Sequence, residues 1–172
     1  MARAAVLRIC VVCLGNICRS PMAAAVLRRR LDEAGISEHV TVESAGTGGW
    51  HIGGPADPRA RVALRERGYD ADGHRARQFD ATSFNDYDLI LVMDRDNVAD
   101  VTRLAPDEAS LEAVQMLRIY DPNALNSGDL DVQDPYYGGA DGFARVLDQI
   151  EPAVDGLVHA LRVELGDQLR GE

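Results

Sequence analysis

The stretch AAVLRICVVCLGNICRSP, residues 4–21, constrains the fold of this 172-residue chain more than any other segment. Its apolar first half, residues 4–13, is typical of a strand buried in a parallel sheet. Ser20 and Pro21 have the pattern of an N-cap followed by proline in the first turn of a helix, which helically spaced apolar residues extend to Gly35. The segment therefore predicts a strand, a short loop and a helix.

The rest of the chain repeats this alternation. Further strands are predicted at 40–45, 88–93 and 115–120. Helical patterns are found at 57–68, 96–106 and 140–165, with Pro152 predicting a kink or a boundary in the last. Strands alternating with helices predict an α/β fold, with one domain over residues 1–172 and a four-stranded parallel sheet flanked by helices on both faces. Ligands of such sheets bind beyond the carboxyl ends of the strands.

The loop after the first strand has the composition of an anion-binding site. Gly15 and Asn16 tolerate left-handed backbone angles, so the loop can curl until its N–H groups converge at the start of the helix. Arg19 can grip two phosphate oxygens, and the same positive field favours the thiolate form of Cys13. The predicted phosphate-binding residues are Leu14, Gly15, Asn16, Ile17, Cys18, Arg19 and Ser20.

Composition excludes several classes of function. The formal charge of −10 argues against a nucleic-acid partner or an anionic membrane surface, and no apolar run has the length of a membrane span. Three cysteines, all within residues 10–18, do not make a disulfide framework, and the scattered histidines make a zinc site improbable. We expect a cytoplasmic protein that is monomeric or self-associates weakly.

The string CLGNICRSP, residues 13–21, resembles the signature of the low-molecular-weight protein tyrosine phosphatases. The resemblance extends to SAGTGGWH (44–51), MDR (93–95), YDP (120–122) and DPYYG (134–138). It implies hydrolysis of phosphotyrosine in protein substrates, without a metal or cofactor.

The resemblance also implies roles for individual residues. Cys13 would attack phosphorus to form a phosphocysteine, Arg19 would hold the phosphate, and Asp134 would be the general acid and then the base. Residues expected to support the loop are Asn16, Ser20, Ser44 and His74, with Ser20 donating to the Cys13 sulfur. The expected substrate cleft consists of Leu14, Ile17, Trp50, Tyr136 and Tyr137.

Cys18 and Cys10 have different expectations. The family uses the cysteine at position 18 as a reversible disulfide partner of the nucleophile, although a small buried filler is the alternative. Cys10 and Cys13 face opposite sides of a strand, so Cys10 is expected to be a core residue. The Asp-Pro pairs at 57 and 121 predict turns or helix starts, and His39, His51 and His159 are expected to be surface or hydrogen-bonding residues.

Three other functions share parts of this pattern. Arginine phosphatases have the same fold but resemble CTGNTCRS, whereas this chain has Ile17 and paired tyrosines at 136 and 137. An arsenate reductase would need further cysteines after Cys18, and there are none. A phosphate-recognition module without turnover could dispense with Cys13 or Asp134, and both are present.

Overall fold

A computed structural model of the protein describes residues 6–139 and 141–170. Its centre is a four-stranded parallel sheet with the strand order β2-β1-β3-β4. The strands are β1 (Leu7–Cys13), β2 (Val40–Gly46), β3 (Leu89–Val92) and β4 (Val114–Met116). Each pairs in parallel with its neighbour. Because the chain leaves β1 for β2 on one side and later pairs β3 on the other, the sheet has its switch point at the end of β1.

Six helices connect and cover the strands within the described residues. They are α1 (Arg19–Glu33), α2 (Pro58–Glu66), α3 (Arg95–Leu104), α4 (Glu108–Leu111), α5 (Pro122–Ser127) and α6 (Asp141–Arg170). None of these helices is both long enough and apolar enough to cross a membrane. The Asp-Pro predictions are confirmed, because Asp57 and Asp121 are the N-caps of α2 and α5. Gly35 follows α1 with φ of 73°, a left-handed angle that glycine adopts without strain.

Alternation along β1 divides the core into two layers. Ile9, Val11 and Cys13 pack with α1, α2 and α6 on one face of the sheet. Cys10 and Val12 pack on the other face with α3 and with residues 79–87. The predicted coverage of both faces is therefore confirmed, and Cys10 is fully buried on the face opposite Cys13.

Three details of the predicted elements are wrong. Of the fourth strand predicted at 115–120, only residues 115 and 116 lie in a strand, because the chain then turns into a 3₁₀ helix (Leu117–Tyr120) that buries Leu117. Of the two alternatives for Pro152, a kink or a boundary, the boundary is wrong, since α6 continues through this residue with Ile150, Ala153 and Val154 buried on either side. Tertiary packing outweighs the lost backbone hydrogen bond there. Residues 4, 5 and 140 of the predicted elements lie outside the described residues.

The third error concerns Ser20. The helix begins two residues earlier than predicted, at Arg19, and its N-cap residue Cys18 makes no side-chain capping hydrogen bond. The Ser20 hydroxyl instead contacts Cys13 and Asn16 in the preceding loop. The side chain that would cap the helix is thus directed to the loop.

Candidate active site

The loop that joins β1 to α1 has paired carbonyl groups and unpaired amide groups. The carbonyls of Cys13, Leu14, Asn16, Ile17 and Cys18 accept hydrogen bonds of 2.6–3.1 Å. The donors are the backbone amides of Thr47, Gly48, Asp57 and Met22 and the ring of His74. In the part of the chain that the structure describes, the backbone amides of residues 14–18 have no protein acceptor. Such a set of free donors at a helix start binds an oxyanion.

Asn16 holds this loop in shape. It is the one described non-glycine residue with positive φ, 56°, and its side chain is fully buried. Its amide nitrogen donates to the hydroxyls of Ser20 (2.8 Å) and Ser44 (3.0 Å), and its amide oxygen accepts from the backbone of Arg77 (2.9 Å). The curled conformation is therefore tied by one side chain to α1, to β2 and to the segment after α2.

His74 supports the same residue from behind. Its Nε2 lies 2.6 Å from the carbonyl oxygen of Asn16, and since a carbonyl only accepts, this nitrogen carries the proton. Burial lowers the pKa of His74, and Arg28 and Arg75 lower it further, although the hydrogen bond to Asn16 opposes the shift. The imidazole is therefore held in its neutral form.

Cys13 and Arg19 meet at the front of the loop. The Cys13 sulfur lies 3.0 Å from the Ser20 hydroxyl at the carboxyl end of β1. Arg19 is almost fully buried, and its Nη1 donates to Asp94 (2.5 Å) and to the carbonyl of Val132 (3.1 Å). Burial alone would lower the pKa of Arg19, but its contacts with Cys13 and Asp94 raise it. The guanidinium is a fixed cation beside the thiol.

Asp134 approaches Arg19 from a second segment. Its Oδ2 is 3.6 Å from Arg19 Nη2, and its Oδ1 accepts a hydrogen bond of 3.1 Å from the backbone of Tyr136. The side chain is 42% exposed, so the carboxyl group can exchange protons with solvent. Asp134 is both a turn residue and a wall of the cleft.

These groups line a cleft of about 310 Å³. The predicted residues in its lining are Cys13, Leu14, Gly15, Ile17, Cys18, Arg19, Trp50, Asp134, Tyr136 and Tyr137. Trp50 is 71% exposed and Tyr137 94% exposed, so both stand at the rim, whereas Tyr136 is less exposed, at 37%. The four loop-supporting residues differ in position, because Asn16, Ser20 and Ser44 are buried and His74 is half-buried behind the loop.

Cys18 lies in the cleft lining as a buried free thiol. Burial raises the pKa of Cys18, and the neighbouring Asp57 and Cys13 raise it further. Burial likewise raises the pKa of Cys10 to about 12. Both thiols are held protonated.

Sequence reasoning missed three contributors to this site. Asp94 pairs with Arg19, and its position two residues after the end of the neighbouring strand β3 was a usable signal. His51, expected to be a surface residue, lines the cleft with its ring 6.3 Å from that of Tyr136. Arg59 contacts Asp57 and Tyr136 from α2, and nothing in its sequence neighbourhood indicates that contact.

Comparisons with known proteins agree with this architecture. Residues 8–167 match the family model described as low molecular weight phosphotyrosine protein phosphatase. A low molecular weight protein-tyrosine-phosphatase of Streptomyces coelicolor is 50% identical over 158 residues, which is 92% of this chain and 95% of the relative. Low molecular weight protein-tyrosine phosphatase A of Mycobacterium bovis is 43% identical over 151 residues, 88% of this chain and 89% of the relative.

A solved structure has the same fold. The protein tyrosine phosphatase of Entamoeba histolytica, crystallised with Hepes in its active site, superposes with a TM-score of 0.85 at 34% identity. The match covers 94% of this chain and 99% of that one. This chain belongs to the low molecular weight phosphotyrosine protein phosphatases.

Proposed function

We propose that the protein hydrolyses phosphotyrosine in proteins, and small aryl phosphates, through a phosphocysteine formed on Cys13. The observation that carries the proposal is the loop of residues 14–18, whose unpaired amides lie between a thiol and a buried guanidinium. Positive groups that are fixed before the substrate arrives stabilise the charge of the transferring phosphoryl group without reorganising. Relatives named as protein-tyrosine phosphatases support the substrate class.

The first step transfers the phosphoryl group to sulfur. Cys13 attacks phosphorus in line, and the S–P bond forms as the bond from phosphorus to the phenolic oxygen breaks. Asp134 gives its proton to that oxygen, so tyrosine leaves as a neutral phenol. Because Nη1 of Arg19 is engaged by Asp94, Nε and Nη2 are the guanidinium nitrogens that would hold the equatorial oxygens.

The second step hydrolyses the phosphocysteine and regenerates the free enzyme. Asp134, now a carboxylate, takes a proton from water, and the resulting hydroxide displaces Cys13 from phosphorus. The Ser20 hydroxyl, 3.0 Å from the sulfur, stabilises the departing thiolate. Each proton transfer contributes roughly 10²- to 10⁴-fold in rate.

The cleft selects the substrate by its depth and lining. Leu14, Ile17, Trp50 and Tyr136 form apolar walls that fit an aromatic ring, and a phosphoserine side chain is too short to reach the loop through them. The remaining alternatives are an arginine phosphatase and a phosphate-binding module without turnover. We also propose a cytoplasmic setting, which the three free thiols support.

A matched substrate series tests the proposal. Phosphotyrosine, phosphoserine and phosphoarginine peptides of one sequence are compared for phosphate release. We expect hydrolysis of the phosphotyrosine peptide, no turnover by Cys13→Ser, and retained phosphate binding in that variant. Preferred hydrolysis of phosphoarginine would replace the substrate assignment, and full activity of Cys13→Ser would remove the mechanism.

A further inference from the structure

Arg59, on the first turn of α2, forms a two-pronged ion pair with Asp57. Its Nε donates to Asp57 Oδ1 (3.1 Å) and its Nη2 donates to Oδ2 (2.9 Å). Burial alone would raise the pKa of Asp57, but the hydrogen bonds from Arg59 outweigh burial and lower it. The planar fork of arginine is therefore matched to a buried carboxylate and held in one orientation.

Asp57 connects this pair to the phosphate loop. Its backbone amide donates to the carbonyl oxygen of Ile17 at 2.8 Å, and its side chain also caps α2 by accepting from the backbone of Arg59. Through Asp57, the orientation of the Arg59 guanidinium is thus fixed relative to the loop that follows the nucleophile.

Arg59 also holds the segment that contains the general acid. Its Nη2 donates to the carbonyl oxygen of Tyr136 at 3.0 Å. Its guanidinium carbon lies 5.6 Å from the centre of the Tyr136 ring and 4.7 Å from that of Phe143, which is buried at the start of α6. One cation therefore contacts the acid segment through its backbone and through its ring.

The acid segment has few other ties beyond Asp134. Up to residue 133 it is anchored by hydrogen bonds from Val132 to Met93 and from the Gln133 backbone to Gln149. Among the described residues, two hydrogen bonds join residues 135–139 to helices: one from the Gly142 amide at the start of α6 to the carbonyl of Gly139 (3.0 Å), and the one from Arg59, and only the latter reaches Tyr136. Because the Tyr136 amide donates to Asp134, whatever fixes Tyr136 also orients the carboxyl group.

We propose that Arg59 is a positioning residue that sets the acid Asp134 against the phosphate loop. The inference rests on the proposed role of Asp134 as general acid. Arg59 does not line the cleft, so it acts through Tyr136 and Asp134 rather than on the substrate. Its contribution is to proton transfer onto the phenolic oxygen, whereas the loop amides and Arg19 bind the phosphate without it.

Leaving-group dependence separates positioning from general support. In Arg59→Ala we expect kcat/KM for phenyl phosphate, whose leaving group needs a proton, to fall about 10- to 100-fold, the cost of misplacing a catalytic group by about 1 Å. For dinitrophenyl phosphate, which leaves without protonation, we expect a fall of less than about twofold. Inhibition by inorganic phosphate should be unchanged.

A conservative variant and a control on the same helix complete the set. Arg59→Lys keeps the charge but lacks the planar fork of the guanidinium, so kcat/KM should again fall more for phenyl phosphate than for dinitrophenyl phosphate, by a smaller factor than in Arg59→Ala. This variant also provides the test if Arg59→Ala fails to fold. Arg61→Ala removes an arginine of α2 that pairs with Asp72 at 3.0 Å, away from the cleft. This variant should leave kcat/KM unchanged for both substrates.

A double variant decides the outcome. If Arg59 acts through Asp134, adding Arg59→Ala to Asp134→Ala should change kcat/KM for phenyl phosphate no further. A persisting loss in that background, or equal losses on both substrates in Arg59→Ala and Arg59→Lys, would overturn the inference. If Asp134→Ala itself lacks the leaving-group pattern, the proposed acid fails; if only the Arg59 variants lack it, the inference alone fails.

Discussion

Asn16 allows the energetic cost of shaping the phosphate loop to be measured. Replacing it with alanine removes three hydrogen bonds, to Ser20, Ser44 and the backbone of Arg77. At about 1–1.5 kcal/mol for each, these account for about 3–4.5 kcal/mol of the free energy of unfolding. The left-handed backbone, with φ of 56°, adds about 1 kcal/mol or more, because asparagine tolerates this conformation better than alanine does. We expect Asn16→Ala to lose about 4–6 kcal/mol in total.

Asn16→Gly separates the two contributions. Glycine also loses the three hydrogen bonds but adopts the left-handed angle freely, so it should be more stable than alanine by about 0.5–1 kcal/mol after its own entropy cost. Asn123→Ala, at an exposed position of α5, is the control and should change stability by less than about 0.5 kcal/mol. Urea unfolding measures all three variants.

Asn16→Ala and Asn16→Gly should also lose phosphate affinity, whereas the control Asn123→Ala should not. A loop that must be reordered on binding weakens inhibition by inorganic phosphate about tenfold for each 1.4 kcal/mol of reordering. A loss below about 1.5 kcal/mol for Asn16→Ala would contradict the hydrogen-bond argument, because even one buried polar partner left unpaired costs about that much. A glycine variant less stable than the alanine variant would contradict the conformational argument.

Three further predictions concern the loop and its surroundings. Burial lowers the pKa of His74 below its ordinary 6.5, so as pH falls the unfolded chain binds the proton first, and the free energy of unfolding should decrease below about pH 6.5. In His74→Gln the free energy of unfolding, measured from about pH 5 to 7.5, should depend less on pH. Gly46→Ala would place a Cβ 2.7 Å from a carbonyl oxygen of the phosphate loop and should weaken phosphate inhibition, whereas Gly128→Ala, with open space but φ of 78°, should cost stability alone. If Cys18 is the disulfide partner of oxidised Cys13, thiol reductant should restore the peroxide-treated wild type but not Cys18→Ser; equal recovery would leave Cys18 as a core residue.

The parts of the site that the sequence predicts are local. Cys13 and Arg19 lie in one short loop, and the strand before it and the helix after it are fixed by apolar periodicity over neighbouring residues. The parallel direction of the four strands follows from the same alternation, so the edge of the sheet where the site lies could be predicted.

The parts that the sequence does not predict depend on packing. Arg59 reaches Tyr136 across 77 positions, and no local pattern specifies such a contact. Ser20 has the sequence context of a helix cap, but its hydroxyl is taken by Cys13 and Asn16, so a rule for helix ends fails where the site uses the same atom. Pro152 is a second case in which a local rule fails, because α6 continues through the proline while its buried face packs in the core.

The most direct test of the account is to trap the covalent intermediate. Asp134→Ala should slow hydrolysis of the phosphoenzyme, so the intermediate should accumulate in this variant. The variant is quenched in acid during turnover of dinitrophenyl phosphate and digested, and its peptides are analysed by mass spectrometry. We expect phosphate on the peptide that contains Cys13, and its absence from Cys13→Ala treated identically. Turnover at the normal rate with no phosphorylated sulfur, or with phosphate on another side chain, would contradict the proposed chemistry.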